Sequence, residues 1–238
     1  MPNRVLPVPR PVSWPLKSID NEFGIATLSL GYGRKHSLKP RLQAAAKAGY
    51  KWIDLFDECW EAHLNEHGLN GQQPWEPTSE NLQLARQLGD LVKSLGLRII
   101  CTQPLRKIEG AKDPQERRAN LDLPPADPET PPLLPWSRAH RLFPFESGMG
   151  AYMPVELVAA AVLATGYQGP ISLEIFSSVF DVSRDHVPVE SARRGIVALT
   201  KLVDAIQRIP AFWNPSREVA IKELVQLYSS NRVSKSSL

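Results

Sequence analysis

The sequence is poor in cysteine and carries little net charge. Its two cysteines, Cys59 and Cys101, are too far apart to form a CxxC motif. We expect both to be free thiols in a reducing compartment, which separates this chain from disulfide-rich secreted proteins. The formal net charge is only +3, and the basic residues are scattered. This distribution gives no indication of a nucleic-acid-binding patch, so we expect no nucleic-acid partner.

Long hydrophobic runs are also missing. No apolar stretch approaches the roughly 18 residues that a membrane-spanning helix needs, so we expect no membrane association. The first residues are interrupted by proline and do not resemble a signal peptide. We therefore predict a cytoplasmic protein.

What the sequence does contain is a repeated alternation of short apolar runs and helical periods. The apolar runs predict strands at 23–30, 50–56, 97–102 and 169–176. Helices are predicted at 37–49, 78–96, 154–164 and 214–228, and a further helix is predicted from the apolar residues that share one face at 196–206. A polar loop is expected at 57–77. This β-α rhythm is typical of an α/β fold, in which a parallel sheet carries helices on its outside.

The rhythm is interrupted by a proline-rich segment at 103–150, where no strand or long helix is predicted. Irregular segments of this length are uncommon inside a compact domain. The segment is a functional lid, a linker or the remnant of a deletion. We divide the chain into an irregular lead-in at 1–22, a main domain at 23–208 and a C-terminal helix and tail at 209–238.

The run at 169–176 places a carboxylate, Glu174, near the end of a predicted buried strand. Burying an ionised carboxylate costs several kcal/mol unless a cation or strong hydrogen-bond donors compensate. Glu174 is therefore either part of a structural ion pair or a ligand in a functional site.

Several motifs together resemble the xylose-isomerase-like, or sugar-phosphate isomerase/epimerase-like, TIM barrels, and within them the fungal 3-dehydroshikimate dehydratases. The matching segments are 24–31, 48–56, 97–104, 135–144, 150–154, 169–177 and 192–195. A complete barrel has eight strands in about 250 residues, whereas this sequence shows four strands. The resemblance thus implies an incomplete TIM barrel, with about four parallel strands, outer helices and the proline-rich insertion. The family's middle strands, which supply most of its metal ligands, have no counterpart here.

The resemblance implies a lyase that dehydrates 3-dehydroshikimate to protocatechuate, as in quinate and shikimate catabolism. In that reaction a divalent metal, Mg²⁺, Mn²⁺ or Co²⁺, polarises the ketone so that an enolate forms. Glu174 matches the family's last metal ligand. Arg138 and Arg141 are candidates for binding the substrate carboxylate, and His140 is a candidate proton carrier. Surface ion pairs and an exposed histidine are the alternatives at these positions.

Asp57 and Glu58 follow the second predicted strand, at the edge where barrel enzymes carry their chemistry. They are candidate substrate-binding residues, with a helix-terminal role as the alternative. His63 and His67 have a spacing that could bind a metal ion, but they lack the HExxH pattern.

Two other functions stay open, namely a catalytically inactive truncated relative and a sugar or polyol isomerase or epimerase. The expected partner is a small-molecule substrate. Because an open sheet has uncovered edges, we also expect either that the proline-rich segment folds over the sheet or that a second copy of the chain completes it.

Overall fold

The structure is a computed structural model that describes Trp14 and residues 18–71, 73–103, 140–180 and 182–235. Most of the predicted lead-in and of the proline-rich segment, including Arg138, lies outside the described residues. The strands are β1 (Phe23–Ala26), β2 (Trp52–Phe56), β3 (Arg98–Gln103) and β4 (Ile171–Leu173). The helices are α1 (Leu38–Ala48), α2 (Asp57–Glu66), α3 (Ser79–Ser94), α4 (Val155–Ala164), α5 (Val187–Gln207) and α6 (Arg217–Lys235). None of the described helices is long and apolar enough to cross a membrane.

The four strands form one parallel sheet in the order β3-β2-β1-β4. The α/β class and the incomplete barrel-like sheet are therefore confirmed. The chain's first strand, β1, lies in the interior of the sheet between β2 and β4. A strand from the start of the domain and a strand from near its end thus become neighbours.

The two faces of the sheet differ in polarity. Ile25, Ile53 and Leu173 are paired in register and buried, so they form an apolar face. The opposite face carries Asp54, which pairs in register with Cys101 on β3.

The predicted first strand is too long, because the structure ends β1 at Ala26 and continues with a 3₁₀ turn at Thr27–Leu30. Side-chain hydroxyls replace the lost sheet contacts. The Phe56 amide donates to Thr27 Oγ1 at 3.0 Å, and the Ile175 amide donates to Ser29 Oγ at 2.7 Å. These two hydrogen bonds join the turn to the end of β2 and to the segment that follows β4.

The loop predicted at 57–77 is wrong in its first half, where the structure has helix α2. Asp57 and Glu58 occupy its first turn, where carboxylates stabilise the helix dipole. Trp60 and Leu64 are buried four residues apart, which gives the helix an apolar side. The fourth strand is also shorter than predicted, so Glu174 lies just beyond β4.

The chain divides into two compact units. The larger comprises residues 22–151 and 170–199 and contains the sheet. The smaller comprises residues 1–21, 152–169 and 200–238. In the smaller unit the Trp14 indole packs edge-on against Phe212 and donates to the Asn214 carbonyl at 2.8 Å.

A buried arginine fixes the connection between β1 and α1. Arg41 is 1% exposed, and its Nη1 donates to the carbonyls of Thr27 at 3.2 Å and Gly31 at 2.8 Å. Its Nη1 also lies 2.9 Å from Cys59 Sγ. Buried carbonyl groups need a hydrogen-bond donor, so the guanidinium supports a turn that has no regular strand or helix of its own.

We expect Arg41→Ala to lower the free energy of unfolding by about 2–4 kcal/mol, since it leaves buried carbonyls without donors. Urea unfolding followed by tryptophan fluorescence measures this difference. Lys39→Ala, an exposed change in the same helix, is the control and should stay within about 0.5 kcal/mol of the wild type. Equal effects of the two substitutions would contradict a structural role for Arg41.

Candidate functional site

Five polar side chains converge at the carboxyl ends of β2, β3 and β4. The central one is Gln103, whose Nε2 donates to Asp54 Oδ2 at 2.7 Å and to Glu174 Oε2 at 3.2 Å. Cys101 Sγ donates to Asp54 Oδ1 at 3.2 Å, and Arg141 Nη1 donates to Glu174 Oε1 at 3.2 Å. We call this group, Asp54, Cys101, Gln103, Arg141 and Glu174, the polar cluster.

A β-bulge in β3 brings two members of the polar cluster to the correct face. Ile53 pairs with Ile99, but Asp54 pairs with Cys101, so Ile100 is an extra residue. Because of the extra residue, the side chains of β3 after Ile100 lie on the opposite face from the one that regular alternation would give them. Cys101 and Gln103 then share a face with Asp54, as residues two apart in a strand do.

The environment of Asp54 disfavours its charge. The residue is 7% exposed, and burial is the main cause that raises the pKa of its carboxyl group. The nearby Glu174 charge raises this pKa further, whereas hydrogen bonds from Cys101 and Gln103 oppose the shift. Asp54 is therefore a carboxyl group that holds a proton more readily than an ordinary aspartate.

The Cys101 thiol stays protonated at neutral pH. Although the residue as a whole is exposed, desolvation of the thiol, followed by its hydrogen bond to Asp54 and the charges of Asp54 and Glu174, raises its pKa to about 12. A thiol reacts as its thiolate, so this environment does not produce a nucleophile. Cys101 instead acts as a hydrogen-bond donor to Asp54.

Glu174 is held by a cation. Its side chain is 38% exposed, and its ion-pair partner Arg141 is 40% exposed. The Arg141 guanidinium lies over the Phe176 ring, 4.6 Å from its centroid, and the Arg141 amide donates to the Phe176 carbonyl at 3.0 Å. His140 precedes Arg141 and pairs with Ser177 in an antiparallel bridge. The structure thus brings together Glu174, Arg141 and the backbone of His140.

Asp57 and Glu58 lie in different surroundings from each other. Asp57 is buried, and its Oδ1 accepts a hydrogen bond from the Glu58 amide at 2.8 Å. This is a contact within the first turn of α2, as in the alternative role considered above. Glu58 lines an open cleft of about 420 Å³ that is also lined by Arg34, Glu61 and Phe176. Because Phe176 also contacts Arg141, the cleft adjoins the polar cluster.

The residues that the structure describes do not fit a divalent metal ion. No group of three or more His, Cys, Asp or Glu side chains is placed to hold one within these ranges. The Glu174 oxygens already accept hydrogen bonds from a guanidinium and an amide. His63 and His67 have ring centroids 4.5 Å apart, and His67 Nδ1 is 2.8 Å from the His63 carbonyl oxygen. The metal ion at Glu174 stays a prediction.

Sequence reasoning missed Gln103 and treated Cys101 only as a free thiol. Their spacing of two residues at the end of a predicted strand is the signal that could have joined them. The bulge that aligns them with Asp54 leaves no mark in the sequence.

The sequence is similar to that of a dehydratase. A 3-dehydroshikimate dehydratase of Neurospora crassa is 29% identical to this chain over 174 residues, which span 66% of this chain and 48% of that protein. The chain thus covers about half the length of its relative. No family model and no solved structure matches the chain. This distant similarity to a dehydratase supports an enzyme-like ancestry and leaves the substrate and the activity of this chain open.

We expect stability to rise more, or to fall less, with increasing pH in Asp54→Asn than in the wild type. A carboxyl group whose pKa is raised by folding binds its proton more tightly in the native state, so native stability falls as pH rises through the range between its unfolded and folded pKa values. Urea unfolding of both proteins between about pH 4 and about pH 7 measures this slope.

Asp90→Asn, an exposed change in α3, is the control and should keep the wild-type slope. If Asp54→Asn also keeps the wild-type slope, the carboxyl group does not have a raised pKa.

Proposed function

We propose that this chain is a hydro-lyase of the 3-dehydroshikimate dehydratase type, acting on a small hydroxylated ring that carries a ketone and a carboxylate. The observation that carries the proposal is the polar cluster at the carboxyl edge of the parallel sheet. Barrel enzymes place their catalytic groups at this edge. The similarity to the Neurospora crassa enzyme supports the same reaction class.

The reaction needs one group that removes a proton and one that supplies a proton. A base takes the proton from the carbon beside the ketone, and hydroxide leaves from the next carbon with a proton, so that one water molecule is lost. We assign proton removal to Glu174 and proton delivery to Asp54. The raised pKa of Asp54 favours its protonated form, as a general acid requires. Gln103 holds both carboxyl groups in fixed positions.

Arg141 is the proposed receptor for the substrate carboxylate. A guanidinium binds a carboxylate with two parallel hydrogen bonds, and stacking on Phe176 orients its plane. A substrate carboxylate that takes over Arg141 releases Glu174 to act as the base. His140 stays a candidate proton carrier beside Arg141, and Glu58 a candidate contact in the adjoining cleft.

A divalent ion would supply polarisation of the ketone oxygen. Since the described residues do not fit such an ion, no step of the proposed reaction is assigned to it.

The alternative is a relative that binds a carboxylate without turning it over. The ion pair between Glu174 and Arg141 favours this alternative, because both groups of the proposed site already satisfy each other. The two proposals share the binding step and differ in whether the product forms.

We expect wild-type protein to raise the ultraviolet absorbance of 3-dehydroshikimate solutions as the aromatic product forms. Glu174→Gln should lower this rate at least about 100-fold, since it removes the base while keeping the size of the side chain. Glu218→Gln, an exposed change in α6, is the control and should keep the rate. Absence of turnover by the wild type, with or without added Mg²⁺, Mn²⁺ or Co²⁺, would leave the inactive alternative.

The predicted metal ion is tested by titrating Mn²⁺ into metal-free protein and measuring binding by calorimetry. If Glu174 is a metal ligand, Arg141→Leu should bind Mn²⁺ at least about tenfold more tightly than the wild type, because it removes a cation from beside Glu174. Adding Glu174→Gln to Arg141→Leu should abolish the gain. Equal affinity in the wild type and in Arg141→Leu would contradict Glu174 as a metal ligand.

A further inference from the structure

The strand β3 forms an open edge of the sheet. In the part of the chain that the structure describes, it is hydrogen-bonded to β2 on one side, and the sheet continues no further on the other. Four of its six residues, Arg98, Ile99, Cys101 and Thr102, are exposed. A strand of a parallel sheet is normally buried on both faces, so this exposure is unusual.

Edge strands are usually protected against pairing with other chains. Short length, proline, lysine and bulges are the common means. At six residues β3 is the longest strand of the sheet, and it contains neither proline nor lysine. Its only charged residue, Arg98, stands at its first position, where it pairs with Glu22 and lies over the Trp52 ring. Within β3 itself, the protective features are the bulge at Ile100 and the charge of Arg98.

The sheet's other edge is different. β4 has only three residues, and just beyond it the chain at His140 and Arg141 runs antiparallel to Ser177 and Phe176. That segment occupies the outer side of the extended chain after β4. Among the residues that the structure describes, an approaching strand therefore finds a long unpaired edge at β3 and a short, partly occupied one at β4.

We propose that two copies of this chain associate through their β3 strands, which pair antiparallel about a two-fold axis. The strand is self-complementary in charge, because a two-fold pairing puts the two Arg98 side chains at opposite ends of the interface. The remaining five residues are uncharged. Two-fold self-pairing is the commonest form of homo-oligomer, and here it joins the two sheets into one of eight strands.

The side-chain pattern of β3 restricts the register of the pair. Directly opposite residues of an antiparallel pair lie on the same face of a sheet. Cys101 and Gln103 both lie on the face that carries the polar cluster. If the two polar clusters lie on the same face of the joined sheet, the residue opposite Cys101 is therefore Cys101 or Gln103 of the second copy. The pairing thus brings the Gln103 side chains of two polar clusters close to the two-fold axis.

The area available sets the strength of the association. A six-residue strand is about 20 Å long, so its pairing alone buries less than a standard stable interface. We therefore expect a dimer that dissociates on dilution. Sedimentation velocity over a series from low micromolar to near-millimolar wild-type protein should show a shift from one chain mass to twice that mass.

The substitution Ile99→Lys tests the surface itself. Ile99 is 37% exposed, and a lysine at a strand edge opposes pairing, so this variant should stay monomeric over the same concentration series. Thr102→Lys, at another exposed position of β3, should do the same. Val197→Lys, which places the same charge at a 40% exposed valine of α5, should dimerise like the wild type. Circular dichroism confirms that each variant is folded.

A wild type that is monomeric over the whole series overturns the proposal. So does a dimer that persists in both folded β3 variants, or one that Val197→Lys disrupts equally. These results do not depend on the dehydratase assay, so the dimer and the proposed reaction are tested separately.

Discussion

The parallel pairing of β1 with both β2 and β4 is the constraint on which the candidate site depends. Parallel strands end at the same edge, so residues that follow them meet even when they are far apart in the sequence. Asp54 is the middle residue of its strand on one side of β1, and Glu174 follows its strand on the other. Without β1 between them, neither carboxyl group would have its present surroundings.

The polar cluster is electrostatically costly because two carboxyl groups share one guanidinium. Arg141 compensates Glu174, whereas Asp54 receives only neutral donors from Cys101 and Gln103. Burial and the Glu174 charge raise the pKa of Asp54, whereas the hydrogen bonds from Cys101 and Gln103 oppose this shift. Two carboxyl groups in such different surroundings are suited to separate acid and base roles, as the proposed elimination requires.

The sequence was sufficient for the order of the strands and helices, because each has a local signal. Gly49, for example, ends α1 in a left-handed conformation, and the Thr78 hydroxyl caps α3. Helix α2 was missed because it has no capping residue of this kind and its polar composition resembles a loop. The role of Gln103 was beyond sequence reasoning, because it depends on one extra residue in a strand and on the pairing of distant segments. Local sequence patterns predict the helices and strands, whereas the register between strands decides which side chains meet in the candidate site.

The ion pair between Arg141 and Glu174 does not by itself close the site. Both side chains are more than one third exposed, and exposed ion pairs contribute about 0–1 kcal/mol. In the proposed reaction, a substrate carboxylate that binds Arg141 bidentately gains more than this, because it makes two charge-assisted hydrogen bonds. The exchange would leave Glu174 hydrogen-bonded to Gln103 and close to the bound ligand. The ion pair between Arg141 and Glu174 is therefore weak enough for a substrate carboxylate to displace it and release Glu174, the proposed base.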